Sequence, residues 1–152
     1  MKQISIILCG LLFLCCAQKN TRNEFLDFEL RPAQCEPAAG FNPMALFNSD
    51  RTIFVGDSVF VSIEDLISAE VVDKKAQPKV KVLLNEKGRR KFAEFTLQYT
   101  GKRAAIIVGG TLVSAPKINA RTTKGVLLIA GYFDLKEAEK IAAGLQIKHP
   151  GD

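Results

Sequence analysis

Residues 79–99 read KVKVLLNEKGRRKFAEFTLQY, and the spacing of their apolar residues changes midway from two to three or four. In the first part, apolar residues occupy every second position, which predicts a strand whose core-facing residues are Val80, Val82 and Leu84. Asn85 then suits an N-cap. The buried face of the following helix is expected to contain Gly88, Phe92, Phe95, Thr96 and Tyr99. Lys and Arg occupy the opposite helix face.

A tight hairpin is predicted next. Residues 104–108 and 111–113 are short apolar runs. Gly109 and Gly110 lie between them and supply the two positive-φ positions that a two-residue turn requires. The same pair lacks the lysine and the following helix of a phosphate-binding loop, so we interpret it as a turn.

The last strand and helix are predicted from residues 126–145. Residues 126–133 are mostly apolar and indicate a strand. Asp134 and Glu137 have the spacing of a capping box, which we favour over an acid and base pair. The apolar face of the helix that follows consists of Ala138, Ile141, Ala142 and Leu145.

Shorter signals precede residue 79. Leu26, Phe28 and Leu30 alternate with charged residues and predict a first strand, which Pro32 is expected to end. We expect a loop from there to about residue 50, because it contains three prolines and Gly40. The remaining predictions are two short strands at 53–55 and 59–61, a capped helical turn at 62–65, an apolar segment at 69–72 and a polar turn at 73–78.

Several segments resemble the head subdomain of the first periplasmic region of SecD and SecDF, in the same order and at similar spacing. They are VKVLLNEKG (80–88), KFAEFT (91–96), GKRAAIIV (101–108), LVSAPKI (112–118), IAGYF (129–133) and EAEKIAAGL (137–145). With weaker likeness at 28–31, 35–37 and 63–72, the resemblance covers about residues 25–147. It implies an α+β fold, with a largely antiparallel sheet and two main helices packed on it. The family usually has an acidic residue where this chain has Gly109.

The resemblance also bears on function. In SecD and SecDF this head sits on a periplasmic base joined to transmembrane helices, and the assembly assists late steps of protein export using the proton gradient. A proton relay needs ionisable groups inside a membrane bundle, so we do not expect that activity here. The resemblance implies noncatalytic binding of an envelope protein or a translocating polypeptide. A structural or accessory lipoprotein of an envelope complex is the alternative, and an enzyme is the third hypothesis.

We place the partner contacts on exposed edges of the head-like domain. The candidate contact residues are Thr111, Ser114, Lys117 and Thr123. A sheet edge can recruit an extended chain through backbone hydrogen bonds, which suits a partner of variable sequence. Ordinary surface turns are the alternative interpretation of this region.

The N-terminus is typical of an exported protein. Lys2 precedes an uncharged run at residues 4–14, which is too short to span a bilayer but suits a signal-peptide core. The run LFLCCA (12–17) resembles a bacterial lipoprotein signal, and we expect Cys16 to carry the lipid. Lipidation at Cys15 would leave the bulky Leu14 before the cut, and ordinary signal cleavage remains an alternative.

This hypothesis divides the chain into a lipoprotein signal peptide (1–15), a tether (16–24) and a SecDF P1-head-like domain (25–148). Ala17 follows the proposed lipid cysteine, in place of the aspartate associated with inner-membrane retention in some bacteria. The expected location is therefore the outer membrane, facing the periplasm. The stand-alone lipoprotein form would differ from SecD in having the head without the transmembrane bundle.

Catalytic and metal chemistry is not indicated. We expect no cofactor and no metal, since His149 is the single histidine and no Cys, Asp or Glu spacing matches a metal site. Ser114 or Ser58 with Lys117 is a conceivable serine–lysine pair, but we favour a hairpin exit for Ser114. Cys35 would be the single free thiol left in the mature chain, and we expect a packed or idle group.

The net charge is +5 over 152 residues, of which 47% are hydrophobic, so one modest core is expected. Basic residues cluster at Lys87, Arg89, Arg90, Lys91, Lys102 and Arg103. They are favoured as a solvated face, with phosphate or lipid headgroups as the alternative. Nucleic acid is not an expected partner, because aromatic residues are not interleaved for base stacking.

Overall fold

The computed structural model describes residues 26–146, which form an α+β domain of two antiparallel sheets and two helices. The strands in chain order are β1 Phe28–Gln34, β2 Phe41–Ala45, β3 Thr52–Gly56, β4 Val61–Ser62, β5 Leu66–Val72, β6 Lys79–Leu84, β7 Arg103–Val108, β8 Thr111–Ser114 and β9 Val126–Ile129. The helices are α1 Glu86–Gln98 and α2 Leu135–Gly144. The predicted signal peptide, Cys16, the tether and His149 lie outside the described residues.

The larger sheet has the strand order β2-β3-β1-β7-β8, and its sixth strand, β4, also pairs with β1. The smaller sheet has the order β5-β6-β9. The predicted fold class, a largely antiparallel sheet with two helices packed on it, is confirmed, with the strands divided between two sheets. That division brings the ends of β8 and β9 together from different sheets.

The prediction that Pro32 ends the first strand is wrong. Pro32 lies inside β1 and is paired with Ala104 of β7. On the other side of β1, β4 pairs at residues 29–30 and β3 pairs at 33–34, so Pro32 faces the gap between them. The carbonyl of Leu30, two residues earlier, points to that same side, where it accepts from the Phe60 amide at 2.9 Å. The N–H that proline lacks is therefore missing where no partner strand needs it.

The predicted loop at residues 32–50 also needs correction. Its centre forms β2, an edge strand that contains Pro43 and pairs along its length with β3. A proline in a strand is tolerated at a sheet edge, because one side of the backbone there has no ladder bonds to make. The proline content of this segment therefore indicated an edge strand as well as a loop.

The last predicted strand is shorter than expected, ending at Ile129 instead of Phe133. Beyond it, the Ala130 carbonyl accepts a hydrogen bond from Ser114 Oγ at 2.5 Å. A Cβ built on Gly131 would lie only 2.4 Å from the Val113 carbonyl oxygen. The chain thus leaves β6 to contact β8, and a glycine is needed at the point of contact.

Both helices begin as predicted. The Gly88 amide donates to Asn85 Oδ1 at 2.9 Å at the start of α1. At α2, the Glu137 amide donates to Asp134 Oδ1 at 2.9 Å, and the Asp134 amide donates to Glu137 Oε2 at 2.8 Å. These bonds satisfy amides that would otherwise have no partner in the first helical turn.

The main core lies between the two sheets and the helices. Its fully buried members come from alternate positions of the strands and from one side of each helix, among them Leu30, Val80, Val82, Phe95, Ile129 and Leu145. A smaller cluster on the other face of the larger sheet includes Ile53, Val55, Ile107 and Leu112. From Ala104 to Val108, strand β7 is therefore buried on both faces, as this uninterrupted apolar run requires.

Candidate functional site

Strand β9 is an open edge of the smaller sheet. The Leu84 amide donates to the Gly125 carbonyl at 2.9 Å, so these two residues form a hydrogen-bonded pair next to the ladder between β6 and β9. Because hydrogen-bonded and non-hydrogen-bonded pairs alternate along an antiparallel ladder, the backbone N–H and C=O groups of Leu127 and Ile129 face β6. The N–H and C=O groups of Val126 and Leu128 face the other side, where no described strand pairs with them. Such an edge can accept a further strand.

The side chains of this edge strand also alternate. Leu127 and Ile129 point into the core, whereas Val126 and Leu128 are 38% and 51% exposed. Exposed apolar residues on an unpaired strand create a surface that water does not solvate well. Both the backbone and the side chains of β9 are thus available to a partner.

An apolar groove of 280 Å³ runs beside this edge. One wall is β9, and the other is the segment from Pro116 to Thr122, with Ile118 among its apolar members. Buried residues of the larger sheet lie at the bottom: Leu30, Ala104 and Ile106. Phe92 and Thr96 line the groove from α1. The groove is therefore a continuation of the gap between the two sheets.

The far wall is held firmly in position. The Ala104 amide donates to the Pro116 carbonyl at 2.9 Å, and the Ile118 amide donates to the Lys102 carbonyl at 2.8 Å. Thr96 Oγ1 accepts from the Thr122 amide at 3.0 Å. The wall opposite β9 is thus fixed by the larger sheet and by α1, so the groove exists without a bound partner.

The rim of the groove is basic, since Lys117 lines the groove and Arg121 and Lys124 lie within two residues of the lining residue Thr122. Lys117, Arg121 and Lys124 are exposed, and none of them forms an ion pair within the described residues. Arg89 differs, because its guanidinium pairs with Glu86 at 2.7 Å and reaches the Thr123 carbonyl at 3.5 Å. Arg89 therefore supports the loop, whereas none of the other three cations has a carboxylate oxygen within ion-pair distance in the described residues.

The four candidate contact residues are not brought together. Thr111 is exposed beside a different groove, of 280 Å³, lined by Val113, Glu137 and Ile141. Lys117 lines the groove beside β9, and Thr123 is exposed on the loop that leads into this strand. The candidate residues therefore belong to separate surfaces.

Ser114, unlike the other three candidate residues, is buried: it is 4% exposed, and its hydroxyl donates to the Ala130 carbonyl. This bond joins the end of β8 to the chain that follows β9. Ser114 thus helps to close the gap between the sheets, and its side chain is not on the surface for a partner to contact.

The outer edge of β8 is less open than that of β9. The Phe47 amide donates to the Leu112 carbonyl at 2.9 Å, so a loop already uses part of this edge. Sequence patterns placed the contact surface near β8 but did not single out β9. The available signal was the run VLLI (126–129), which is uniformly apolar although its sheet has only three strands. Burial on both faces was the natural expectation for such a run, and the structure shows one face exposed.

Cys35 is the free thiol of the described residues. Cys35 is exposed, and Arg103 Nε lies 3.1 Å from its sulfur. In residues 26–146, no group of three or more His, Cys, Asp or Glu side chains is arranged to hold a metal ion. No helix within the same residues has the length and apolar character needed to cross a bilayer.

Comparison with protein families matches residues 41–147 to the SecDF P1 head subdomain. The chain belongs to this family. The matched range begins at β2, so it includes both helices and most of the groove lining but excludes β1 with its Leu30. The resemblance identified from sequence segments is thereby confirmed for most of the chain.

Several SecD and SecDF proteins are similar to this P1 head chain. It is 34% identical over 87 residues to SecD of Acidaminococcus fermentans, covering 57% of this chain and 21% of that protein. It is 34% identical over 109 residues to SecD of Desulfurispirillum indicum, covering 69% and 21%. It is 37% identical over 83 residues to SecDF of Thermus thermophilus, covering 54% and 11%. The chain thus spans about a fifth or less of the length of these relatives.

Two solved structures share the fold. One is a SecDF described as a membrane component that enhances protein export, with a TM-score of 0.65 and 24% identity, covering 82% of this chain and 63% of that one. The other is SecDF in a super-membrane-facing form, also with a TM-score of 0.65 and 24% identity, covering 82% and 19%. The antiparallel sheets and two helices are therefore the fold of the SecDF P1 region.

Proposed function

We propose that this chain is a lipid-anchored envelope protein whose P1 head binds extended polypeptide without catalysing a reaction, in connection with protein export. The observation that carries the proposal is the open edge of β9 beside an apolar groove. Unpaired backbone groups give affinity for an extended chain, and neighbouring apolar pockets accommodate its alternate side chains. This mode of binding tolerates many partner sequences, as a factor that meets translocating polypeptides requires.

The link to export rests on family membership. SecD and SecDF relatives are named as protein translocase subunits, and one solved relative is described as enhancing protein export. The head is the part that this chain shares with them. A lipid at Cys16 would hold the head at the membrane, on the outer membrane facing the periplasm.

The noncatalytic assignment is supported by the surroundings of the candidate nucleophile. Ser114 is buried, and its hydroxyl is committed to the Ala130 carbonyl. Asp134 and Glu137 bond to each other's backbone amides in a capping box. These groups have structural partners, which leaves recognition by the sheet edge as the function that the geometry supports best.

N-methylated peptides test the central step. A peptide that adds to β9 must direct every second N–H toward the strand, so N-methylation at those positions removes the bonds. Two isomeric peptides, methylated at odd or at even positions, have the same composition and serve as matched controls. We expect only one of them to lose binding to the full chain in detergent. Equal binding by both isomers would contradict strand addition.

Photo-crosslinking tests the location in intact envelopes. Crosslinkers at Lys117, Thr123 and Leu128 are expected to capture polypeptide more strongly than one at Arg90 on the exposed face of α1. Thr111 lies on a different surface and provides an internal comparison. Equal or absent capture at all five positions would argue against recognition at this edge.

The alternative function is a structural or accessory role in an envelope complex. The same crosslinking experiment separates the two, because many different captured polypeptides favour recognition of translocating chains. One partner recovered at a fixed stoichiometry would favour the accessory role. A strain that lacks the chain should then lose the assembly of that one complex.

A further inference from the structure

We propose that the groove beside β9 selects extended segments whose apolar residues are flanked by Asp or Glu. This inference rests on the proposed function and adds the chemical class of the partner. The apolar part would add to β9 against Val126 and Leu128, and the acidic residues would meet Lys117, Arg121 and Lys124.

The charge of this part of the chain has one sign. Residues 95–133 contain five basic residues, Lys102, Arg103, Lys117, Arg121 and Lys124, and no acidic residue. The sequence therefore supplies no carboxylate to the groove from β7, β8, β9 or the loops between them. The groove lining likewise contains one lysine and no Asp or Glu.

Some cations elsewhere in the described domain have acidic partners, whereas others, such as Lys87, have none. Lys79 pairs with Asp73 at 2.8 Å, Lys91 pairs with Asp65 at 2.6 Å, and Lys81 pairs with Glu70. Arg89, on α1 beside the loop, is already neutralised by Glu86. The three rim cations thus produce a positive potential that a partner's carboxylates can meet, which favours an acidic partner in both encounter and orientation.

Charge complementarity also argues against a second copy of this chain as the occupant. Pairing of two β9 edges would bring Lys117, Arg121 and Lys124 of both copies to the same seam. Like charges across a shared edge destabilise the pairing, and charged edges are one means by which proteins prevent self-association. The β9 edge can therefore bind an acidic partner, whereas repulsion between the cations disfavours pairing with the β9 edge of a second copy.

The apolar groove decides between a peptide and an anionic surface. Phosphate headgroups would meet the same three cations, but they offer no backbone for the N–H and C=O groups of Val126 and Leu128. A flat headgroup layer also does not fill a 280 Å³ groove whose floor is Leu30 and Ile106. An extended peptide satisfies the charges, the strand edge and the groove together.

The test measures binding of three labelled peptides to the full chain in detergent by fluorescence anisotropy. All three share one central segment with alternating Val and Thr, and they differ in flanks of Glu, Gln or Lys. We expect the Glu-flanked peptide to bind about tenfold more tightly than the Gln-flanked peptide at low salt, a factor that three exposed ion pairs can supply. The difference should shrink as salt is raised, because exposed charges are screened.

Substitutions locate the effect. The triple variant Lys117→Gln, Arg121→Gln, Lys124→Gln should bind the Glu-flanked and Gln-flanked peptides equally. A matched triple variant, Lys74→Gln, Lys75→Gln, Lys136→Gln, removes the same charge from exposed positions away from the groove. It should keep the preference.

The outcomes separate the inference from the proposed function. Equal binding of the three peptides by the unchanged protein would overturn the acidic preference and leave strand addition standing. Absence of binding by every peptide would overturn both. A preference that both triple variants lose equally would reflect net charge alone and overturn the assignment to the groove. Binding of phosphatidylglycerol vesicles that depends on the three rim cations, without any peptide preference, would assign the site to a membrane surface and overturn the inference.

Discussion

Lys91 Nζ lies 2.6 Å from Oδ2 of Asp65, whose side chain is completely buried. The same oxygen accepts from the Ser62 amide at 3.0 Å, and the other carboxylate oxygen is buried without a hydrogen-bond partner within the described residues. Asp65 ends a single helical turn, Ile63–Asp65, and Lys91 extends from α1. The ion pair therefore connects α1 to the segment between β4 and β5.

Replacement of Lys91 by Met should destabilise the domain by about 1–3 kcal/mol, because the Asp65 carboxylate would lose its charged partner inside the protein. About a third of the Lys91 side chain is exposed, so water can partly compensate. Urea unfolding measures the loss. Arg90→Met is the control, since Arg90 is exposed on the same helix and has no ion-pair partner within the described residues. Equal stability of both variants and the unchanged protein would show that the pair contributes nothing.

Stability should depend on the charge of Asp65 at low pH. Burial alone raises the pKa of this carboxyl, but the hydrogen bonds from Lys91 and the Ser62 amide lower it, and the net pKa lies below its ordinary range. The unfolded chain then binds the proton first as pH falls. The stabilisation of the folded state by the ionised Asp65 carboxylate is fully present above about pH 5 and is lost from about pH 4 downward through the folded-state pKa.

Urea unfolding between about pH 2.5 and 6 tests this dependence. We expect Asp65→Asn to be less stable than the unchanged protein near neutral pH and to show a smaller loss of stability on acidification. Glu94→Gln removes an exposed carboxylate of α1 that forms no ion pair within the described residues, and it should leave the slope unchanged. Parallel pH curves for the unchanged protein and Asp65→Asn would contradict the assignment.

Gly88→Ala should destabilise the domain even though alanine is the better helix former. A Cβ at this position would lie 2.5 Å from the Asp65 carbonyl oxygen and 2.8 Å from Asp65 Cβ. Relief of that overlap requires α1 to move away from the turn, at a cost of about 1–3 kcal/mol. Thermal unfolding of Gly88→Ala beside Glu94→Ala, an exposed site on the same helix, makes the comparison. A higher melting temperature for Gly88→Ala would refute the close contact.

Residues 25–148 are expected to fold alone, and three core substitutions should then differ in cost. Phe95 is fully buried, and its ring packs at a tilt against those of Phe60 and Tyr99 with centroid distances of 5.1 Å to each, so Phe95→Ala should cost about 3–5 kcal/mol. Ile141→Ala should cost about 2–4 kcal/mol. Phe92→Ala should cost less than either, since Phe92 is partly buried at the groove. Urea unfolding gives the order, and a larger loss for Phe92 than for Phe95 would contradict the assigned helix face.

The mature chain is expected to begin at a lipidated Cys16, and Cys16→Ser should release the protein from the membrane fraction. A diacylated cysteine provides the hydrophobic anchor, and two acyl chains hold a protein far more firmly than one. Mass spectrometry of the purified protein identifies the N-terminus. Cys15→Ser is the matched control and should remain membrane-bound. An unmodified N-terminus at Ala17 or beyond, or an intact signal, would refute the anchor.

Local patterns in the sequence were sufficient for the elements whose boundaries depend on nearby residues. Alternation at Val80 and Val82, the cap at Asn85, the Gly109-Gly110 turn and the capping box at Asp134 each predicted what the structure contains. These signals are reliable because caps and turns satisfy backbone groups within a few residues of themselves.

Tertiary structure alone decided where long-range pairing starts, stops and remains open. Pro32 continues β1 because two different strands leave a gap opposite it, and β9 ends early because the chain turns to contact β8 at Gly131. The exposure of Leu128 depends in the same way on which strands have no neighbour. The sequence by itself determined the caps, the tight turn, the two helices and which residues carry charge. The assembly of two sheets determined where β1, β2 and β9 begin or end and which backbone groups and cations have no partner, because that depends on residues far apart in the chain.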